Sequence, residues 1–266
     1  MLYTGKLNSV EITSKDNAKI KMLRQLGQKK YRDEGGKFLV ENAVIIRDAA
    51  KADVVFDSIF VTKAFIKKNK GIFDLIIEKT KINEYYIIDE KINKSFSSMD
   101  TAPGIAAVYS KPKNKIGLDR PVVYLNAIND PGNVGTILRS ALAFNLKNIV
   151  IDEHSADVYN PKTINAAKDA IFKLNIEFDN NLAILKEIKS QMAIITTRLE
   201  KSGGLDILKD KKLFCVVLGS ESHGVDKEIQ NMSDDFIRIP MSDEIESLNV
   251  SASAAIIFYE IYRHTR

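Results

Sequence analysis

One cysteine in 266 residues, Cys215, rules out a disulfide within the chain and any zinc site built on thiolates. It lies in the apolar run LFCVVLG, where it reads as a buried small hydrophobe rather than a reactive thiol. The three histidines, His154, His223 and His264, have no ligand-like spacing, so no metal is expected. No apolar run approaches the ~20 residues a membrane span needs, and MLYTGKLNSVEITSKD at the start lacks the apolar segment of a signal peptide, so a cytoplasmic protein is expected. The dinucleotide fingerprint G-x-G-x-x-G is missing. GSESHG at 219–224 has Walker-like glycine spacing without the Lys-Ser/Thr that must follow. There is no nucleophile elbow and no Ser/His/Asp order, which argues against acyl transfer.

What is present is a soluble globular composition, 45% hydrophobic and 28% charged, with a net charge of only +4 that is unevenly placed. From Lys15 to Lys37 there are eight basic residues against three acidic ones, an excess of five that exceeds the whole-chain total. The cations Lys15, Lys19, Arg24, Lys29, Lys30 and Arg32 make a basic face suited to nucleic acid. An ordinary lysine-rich solvated helix is the competing interpretation.

Along the chain, residues 14–34 read as one helix capped at Ser14, with Ile20 and Leu23 buried. Short strands and helices then alternate: Phe38–Val40, a helix from about Asn42 to Ala50, a strand over 54–62, a Lys-rich helical piece near 63–79, a β-rich run at 84–90, and a strand through Tyr109. This is the pattern of a small α/β domain over 1–110. KPKNKIGLDRP, polar and proline-bounded, makes 111–120 a linker. Over 121–266 the strands become continuously apolar: Val122–Leu125, Asn148–Ile151, Ala193–Thr197, Leu213–Leu218 and Phe236–Ile239. They predict a parallel α/β sheet with its ligand site at the carboxyl ends of the strands.

Three segments fall at those ends. In NDPGNVGTILRSALAF, 129–144, Asp130 or Asn133 caps a helix with Val134, Ile137, Leu138 and Ala141 on its apolar stripe. Asn133 and Arg139 are left on polar faces near a helix start that favours anions. LGSESHGV, 218–225, places Gly219 and Glu221 just past a buried strand, and Glu221 is a natural partner for Arg139. IPMSDEIESLNVSASAA, 239–255, crosses a polar loop into a helix capped by Ser247 or Asn249. That helix is apolar on two sides and must be covered by its own core or by a partner.

In this order and spacing, NDPGNVGTILRSA, VVLGSESHGV and RIPMSDEIESLNVSASAA resemble the three motifs of the SpoU (TrmH-like) branch of SPOUT RNA methyltransferases. FLVENAVIIRDA and SSMDTAPGIAAV are similar to the L30e-like RNA-binding domain that precedes it in many members. The resemblance implies a C-terminal trefoil knot, a homodimer through the catalytic domain, and S-adenosylmethionine as methyl donor. The ribose 2′-hydroxyl of structured RNA would be the acceptor, ribosomal in preference to transfer RNA. It further implies that Thr197, Gly219, Ile239, Met241 and Leu248 hold the cofactor, largely through backbone groups, and that Asn133, Arg139, Glu221, Ser247 and Asn249 surround the reacting centre. Reaction would be in-line displacement without a metal or covalent intermediate, with Arg139 as base or as an orienting group. A catalytically inactive RNA-binding protein is the rival from another class. Asn42, Asp169 and Asn175 stand where members commonly carry glycine or proline.

Overall fold

The computed structural model describes residues 7–80, 82–198, 202–209, 211–220, 223–242 and 244–264, and these form two compact units. The first comprises the chain to Pro112 together with Tyr159–Asn165; the second comprises Lys113–Val158 and Ala166–Arg266.

Elements of the first unit run β1 (Asn8–Ile12), α1 (Ala18–Gln25), α2 (Lys29–Gly35), β2 (Lys37–Val40), α3 (Ala43–Lys51), β3 (Ser58–Thr62), α4 (Lys63–Lys68), α5 (Lys70–Lys79), β4 (Glu84–Ile88), α6 (Glu90–Phe96) and β5 (Ile105–Ser110). The strands order as β1-β4-β3-β5-β2, with β1, β4 and β3 parallel and β5 antiparallel to both β3 and β2. The single helix expected over 14–34 is two helices. Asn17, not Ser14, caps α1 by accepting from the Lys19 N–H at 2.9 Å, and the chain breaks at Gly27 before α2. Ile20 and Leu23 of α1 are fully buried against Phe60 and Tyr86 of the sheet. Strand β1 has four exposed residues in five, and it is set by parallel pairing with β4.

After these come β6 (Val122–Leu125), α7 (Pro131–Ala143), β7 (Asn148–Asp152), α8 (Pro161–Ala167), α9 (Ala170–Lys173), β8 (Asn175–Asp179), α10 (Ala183–Lys189), β9 (Ala193–Thr197), β10 (Phe214–Leu218), α11 (Lys227–Met232), β11 (Asp235–Ile237) and α12 (Val250–His264), all in the second unit except α8, which begins in the segment Tyr159–Asn165 of the first. All strands are parallel in the order β11-β9-β10-β6-β7-β8. β6, β7 and β10 are buried at every position, as continuous apolar strands covered on both faces must be. Burial also pushes the Cys215 thiol pKa up and keeps it an inert core group.

β8 escaped the sequence reading because it is an edge strand of alternating polarity, with Ile176 turned inward and Phe178 about half exposed. β10 begins one residue later than expected and leaves Leu213 exposed; β11 ends at Ile237, two residues short of Ile239. The direction of connection reverses at β6: β7 and β8 follow on one side, while β10, β9 and β11 lie on the other. In parallel sheets such a switch opens a crevice at the carboxyl ends.

Candidate active site

A cavity of about 400 Å³ opens at the carboxyl ends of β9, β10 and β11. Its lining includes Thr197, Gly219, Ile239, Met241 and Leu248, the five residues expected at the cofactor, together with Ser247. From Ile239 to Leu248 the described residues lie in no helix or strand, so the main chain runs irregularly along this side of the cavity. Leu218, Ile237, Val250 and Ile257 supply apolar wall. Apolar walls beside an irregular main chain match a flat purine with polar edges, the adenosine part of S-adenosylmethionine.

Gly219 is the sharpest constraint in this wall. A Cβ there would meet the Gly224 carbonyl carbon at 2.2 Å, its oxygen at 2.3 Å and the Val225 nitrogen at 2.4 Å, all backbone. The crowding is built by a tight return in which the Ser220 N–H donates to the Gly224 oxygen at 3.1 Å and the Gly224 N–H donates back at 2.9 Å. Gly224 has φ of +68°, a left-handed conformation that favours glycine.

Beside the cavity, α7 and α12 bring two of the expected polar residues together. Asp130 caps α7, its Oδ1 accepting from the Asn133 N–H at 2.8 Å, and Pro131 occupies the first turn. Asn249 uses both ends of its amide. Oδ1 accepts from the Ser251 N–H at 2.9 Å at the start of α12, while Nδ2 donates to Asn133 Oδ1 at 3.1 Å. The starts of two helices are thereby joined, and their positive ends face the same region. Ser247 is exposed and Asn249, not Ser247, forms the cap.

The expected set is not assembled completely. Arg139 is exposed on α7 and is not part of the cavity wall. Its expected partner Glu221 lies outside the described residues. Two guanidinium groups that sequence reasoning missed do reach the wall: Arg198, which stacks 3.9 Å over the Phe236 ring, and Arg238. Their only sequence signal was position, each directly after or within a strand end. Among the described residues no aspartate or glutamate lines the cavity.

A family model described as the SpoU rRNA Methylase family matches residues 120–259, which span this cavity and every element around it. The chain belongs to the SpoU rRNA methylase family. It is an RNA methyltransferase that uses S-adenosylmethionine. A second model, the MRM3-like substrate binding domain, matches residues 17–107. Among curated relatives, 23S rRNA (guanosine(2553)-2′-O)-methyltransferase RlmP of Bacillus subtilis is 28% identical over 255 residues, 94% of this chain and 98% of that one. The AdoMet-bound rRNA methyltransferase of Sinorhizobium meliloti superposes with a TM-score of 0.83 at 22% identity over 97% of this chain and 99% of that one. The SpoU methyltransferase AviRb of Streptomyces viridochromogenes, in complex with AdoMet, gives 0.81 at 21% over 94% and 98%. At these identities the two structures establish that the SpoU fold is shared.

In the first unit Lys15, Lys19, Lys29 and Lys30 are exposed, with Lys19 Nζ 4.6 Å from the centre of the Tyr86 ring. Arg24 is half-buried and donates to the Lys15 carbonyl at 2.7 Å. Arg32, expected on the basic face, is only 3% exposed, and its Nη1 donates to the Leu26 carbonyl at 2.7 Å. It therefore closes the turn between α1 and α2 and is withdrawn from any phosphate. Arg32→Ala is expected to lower unfolding stability by about 1–3 kcal/mol, because the buried Leu26 carbonyl loses its charged donor; thermal denaturation measures it. Lys29→Ala with Lys30→Ala should leave the melting temperature unchanged and flatten the salt dependence of RNA affinity by roughly 0.7–0.9 per lost phosphate contact. An unchanged slope would remove these lysines from the RNA interface.

The three departures from the family pattern have local work of their own. Asn42 caps α3 through Oδ1, accepting from Val44 N–H at 3.0 Å and Ile45 N–H at 3.4 Å. Asp169 pairs with Lys173 one turn on, and Asn175 donates to Asn148 Oδ1 at 3.1 Å.

Proposed function

We propose that this chain methylates a ribose 2′-hydroxyl in ribosomal RNA, and that the Asn133–Asn249 pair beside the cavity marks where the acceptor sugar lies. The observation that carries the reading is that single link: two amides from the starts of α7 and α12 meet at 3.1 Å next to a cavity fit for the donor's adenosine. Bound S-adenosylmethionine supplies an electrophilic sulfonium methyl. The backbone around Ile239, Met241 and Leu248, together with Thr197 and Gly219, would hold its adenosine part. Asn133, Ser247 and Asn249 present amide and hydroxyl groups that fix the ribose.

Arg139 orients the hydroxyl or the adjoining phosphate through its fork of N–H donors. Glu221, placed by the resemblance alone, is the carboxylate of the set. With no metal in this scheme, positioning of the two reactants supplies most of the acceleration. Ribosomal RNA is favoured over transfer RNA by the match to RlmP, whose name specifies 23S rRNA and whose length is covered almost entirely. An acceptor in ribosomes also places the protein in the cytoplasm. Mass-spectrometric mapping of ribosomal RNA from cells with and without the gene tests the acceptor: loss of one ribose methyl is expected, and an unchanged ribosomal map would move the substrate elsewhere.

The same reading includes a homodimer through the catalytic domain. One stripe of α12, Val250, Ala254, Ile257 and Ile261, is buried in its own unit, while Ile256 and Tyr259 on the other remain 40% and 51% exposed. Phe144 at the end of α7 packs its ring against both Tyr259 and Tyr262, so the apolar patch continues across two helices. Ile256→Glu with Tyr259→Asp is expected to give a monomer by sedimentation velocity where the parent chain sediments as a dimer. A parent chain that is monomeric at micromolar concentration would contradict the assignment. The segment after β11 is inferred to form the trefoil knot. The Arg238 N–H donates to the Gly203 carbonyl and the Gly203 N–H to Phe236 O, each at 3.0 Å, which holds that segment against 202–204 as it enters the cavity wall.

A further inference from the structure

Asn126 directly follows β6 and precedes the turn into α7. Its main-chain N–H donates to the Leu218 carbonyl at 2.9 Å, which prolongs the pairing of β6 with β10 by one residue. Its side chain is 1% exposed. Nδ2 donates to two carboxylates, Asp152 Oδ2 and Asp226 Oδ2, both at 2.8 Å, and Oδ1 accepts the Asp226 N–H at 2.8 Å. Asp152 ends β7 and also accepts from the Ala127 N–H at 3.0 Å and the Ser155 hydroxyl at 2.6 Å. Asp226 sits at the N-cap position of α11. One buried amide therefore ties together the ends of β6 and β7 and the connection from β10 to α11.

These are the two segments the proposed reaction must keep in register. The turn after Asn126 leads to Asn133 and Arg139, while the connection reaching Asp226 carries Gly219 and the return at Ser220–Gly224. Ala127 adopts φ of +54°, a conformation costly for a residue with a Cβ, and it is held there by Asp152. A left-handed alanine persists only where its surroundings over-determine it, so the turn is set rigidly by this network.

We propose that Asn126 is a positioning residue for methyl transfer, resting on the activity assigned above: it fixes the acceptor-side turn against the donor-side loop through Asp152 and Asp226. The role requires an amide. Two carboxylates converge on one nitrogen, and only a side chain that donates twice while accepting a backbone N–H satisfies all three. The charged and titratable groups facing this point are Asp152 and Asp226 themselves, with Tyr124, Glu153, His154, Asp179, Lys186 and Glu228 around the adjoining hollow of about 420 Å³.

Asn126→Asp is the informative substitution, because it keeps the shape and replaces the donor with a third carboxylate. Single-turnover transfer to a ribosomal RNA fragment is expected to fall roughly thirtyfold near neutral pH, while donor affinity by calorimetry stays within about threefold. Adding Asp226→Asn returns an amide donor to the cluster and should recover part of the rate. Parallel loss of rate and donor affinity, or no recovery in the double variant, would reduce Asn126 to a general structural residue and overturn the proposal. Hydrogen exchange reads the same coupling without RNA or donor, and so separates its failure from failure of the assigned activity. Asn126→Asp should loosen 127–133 and 219–225 together, and loosening of only one contradicts the clamp.

Discussion

Gly219→Ala is expected to weaken binding of S-adenosylmethionine by about a hundredfold, which corresponds to about 3 kcal/mol. The new methyl has nowhere to go, since its three nearest atoms, at 2.2–2.4 Å, are all backbone of Gly224 and Val225. No side-chain rotation relieves the clash, so the return from Ser220 to Gly224 must move, and that return forms one wall of the cavity. β10 ends at Leu218 and is fully buried, which should keep the sheet intact and confine the damage to the site. Titration calorimetry of the full chain with the donor measures it. An affinity within about threefold of the parent's would place the donor elsewhere.

Arg139→Lys is the second large effect. Methyl transfer should fall on the order of a hundredfold or more, although the positive charge is kept, because a lysine offers one compact ammonium in place of a planar fork of donors. Arg139 does not line the cavity, so donor affinity should be unchanged. The two variants therefore separate the halves of the site: one loses the donor and the other loses the chemistry. If the lysine variant methylates RNA at nearly the parent rate, fork geometry is irrelevant and Arg139 has no orienting role. A drop in donor affinity equal to the drop in rate would instead mean that Arg139 acts on the cavity.

Much of this was readable from the chain because the relevant signals are local. The stripe Val134, Ile137, Leu138 and Ala141 is fully buried, and Asp130 caps the helix it was expected to start. Continuous apolar runs located the central strands, and strand ends located the cavity. What the sequence left hidden depends on contacts distant in sequence. β1 and β8 are short sheet-edge strands, each with only two apolar residues, and pairing to β4 and β7 defines them. Arg32 looked like its basic neighbours, yet the break at Gly27 turns it inward to satisfy the Leu26 carbonyl. The link from Asn133 to Asn249 spans 116 positions, and that from Asn126 to Asp226 spans 100, so neither could be seen as a motif.

The reading as a ribose methyltransferase is tested most directly by the chemical position of the transferred methyl. The full chain, incubated with methyl-labelled S-adenosylmethionine and ribosomal RNA, should place the label on ribose. After alkaline hydrolysis it should then appear in a dinucleotide, because a methylated 2′-oxygen cannot attack the neighbouring phosphodiester. Label recovered in mononucleotides carrying a methylated base would contradict the account, as would the absence of any transfer.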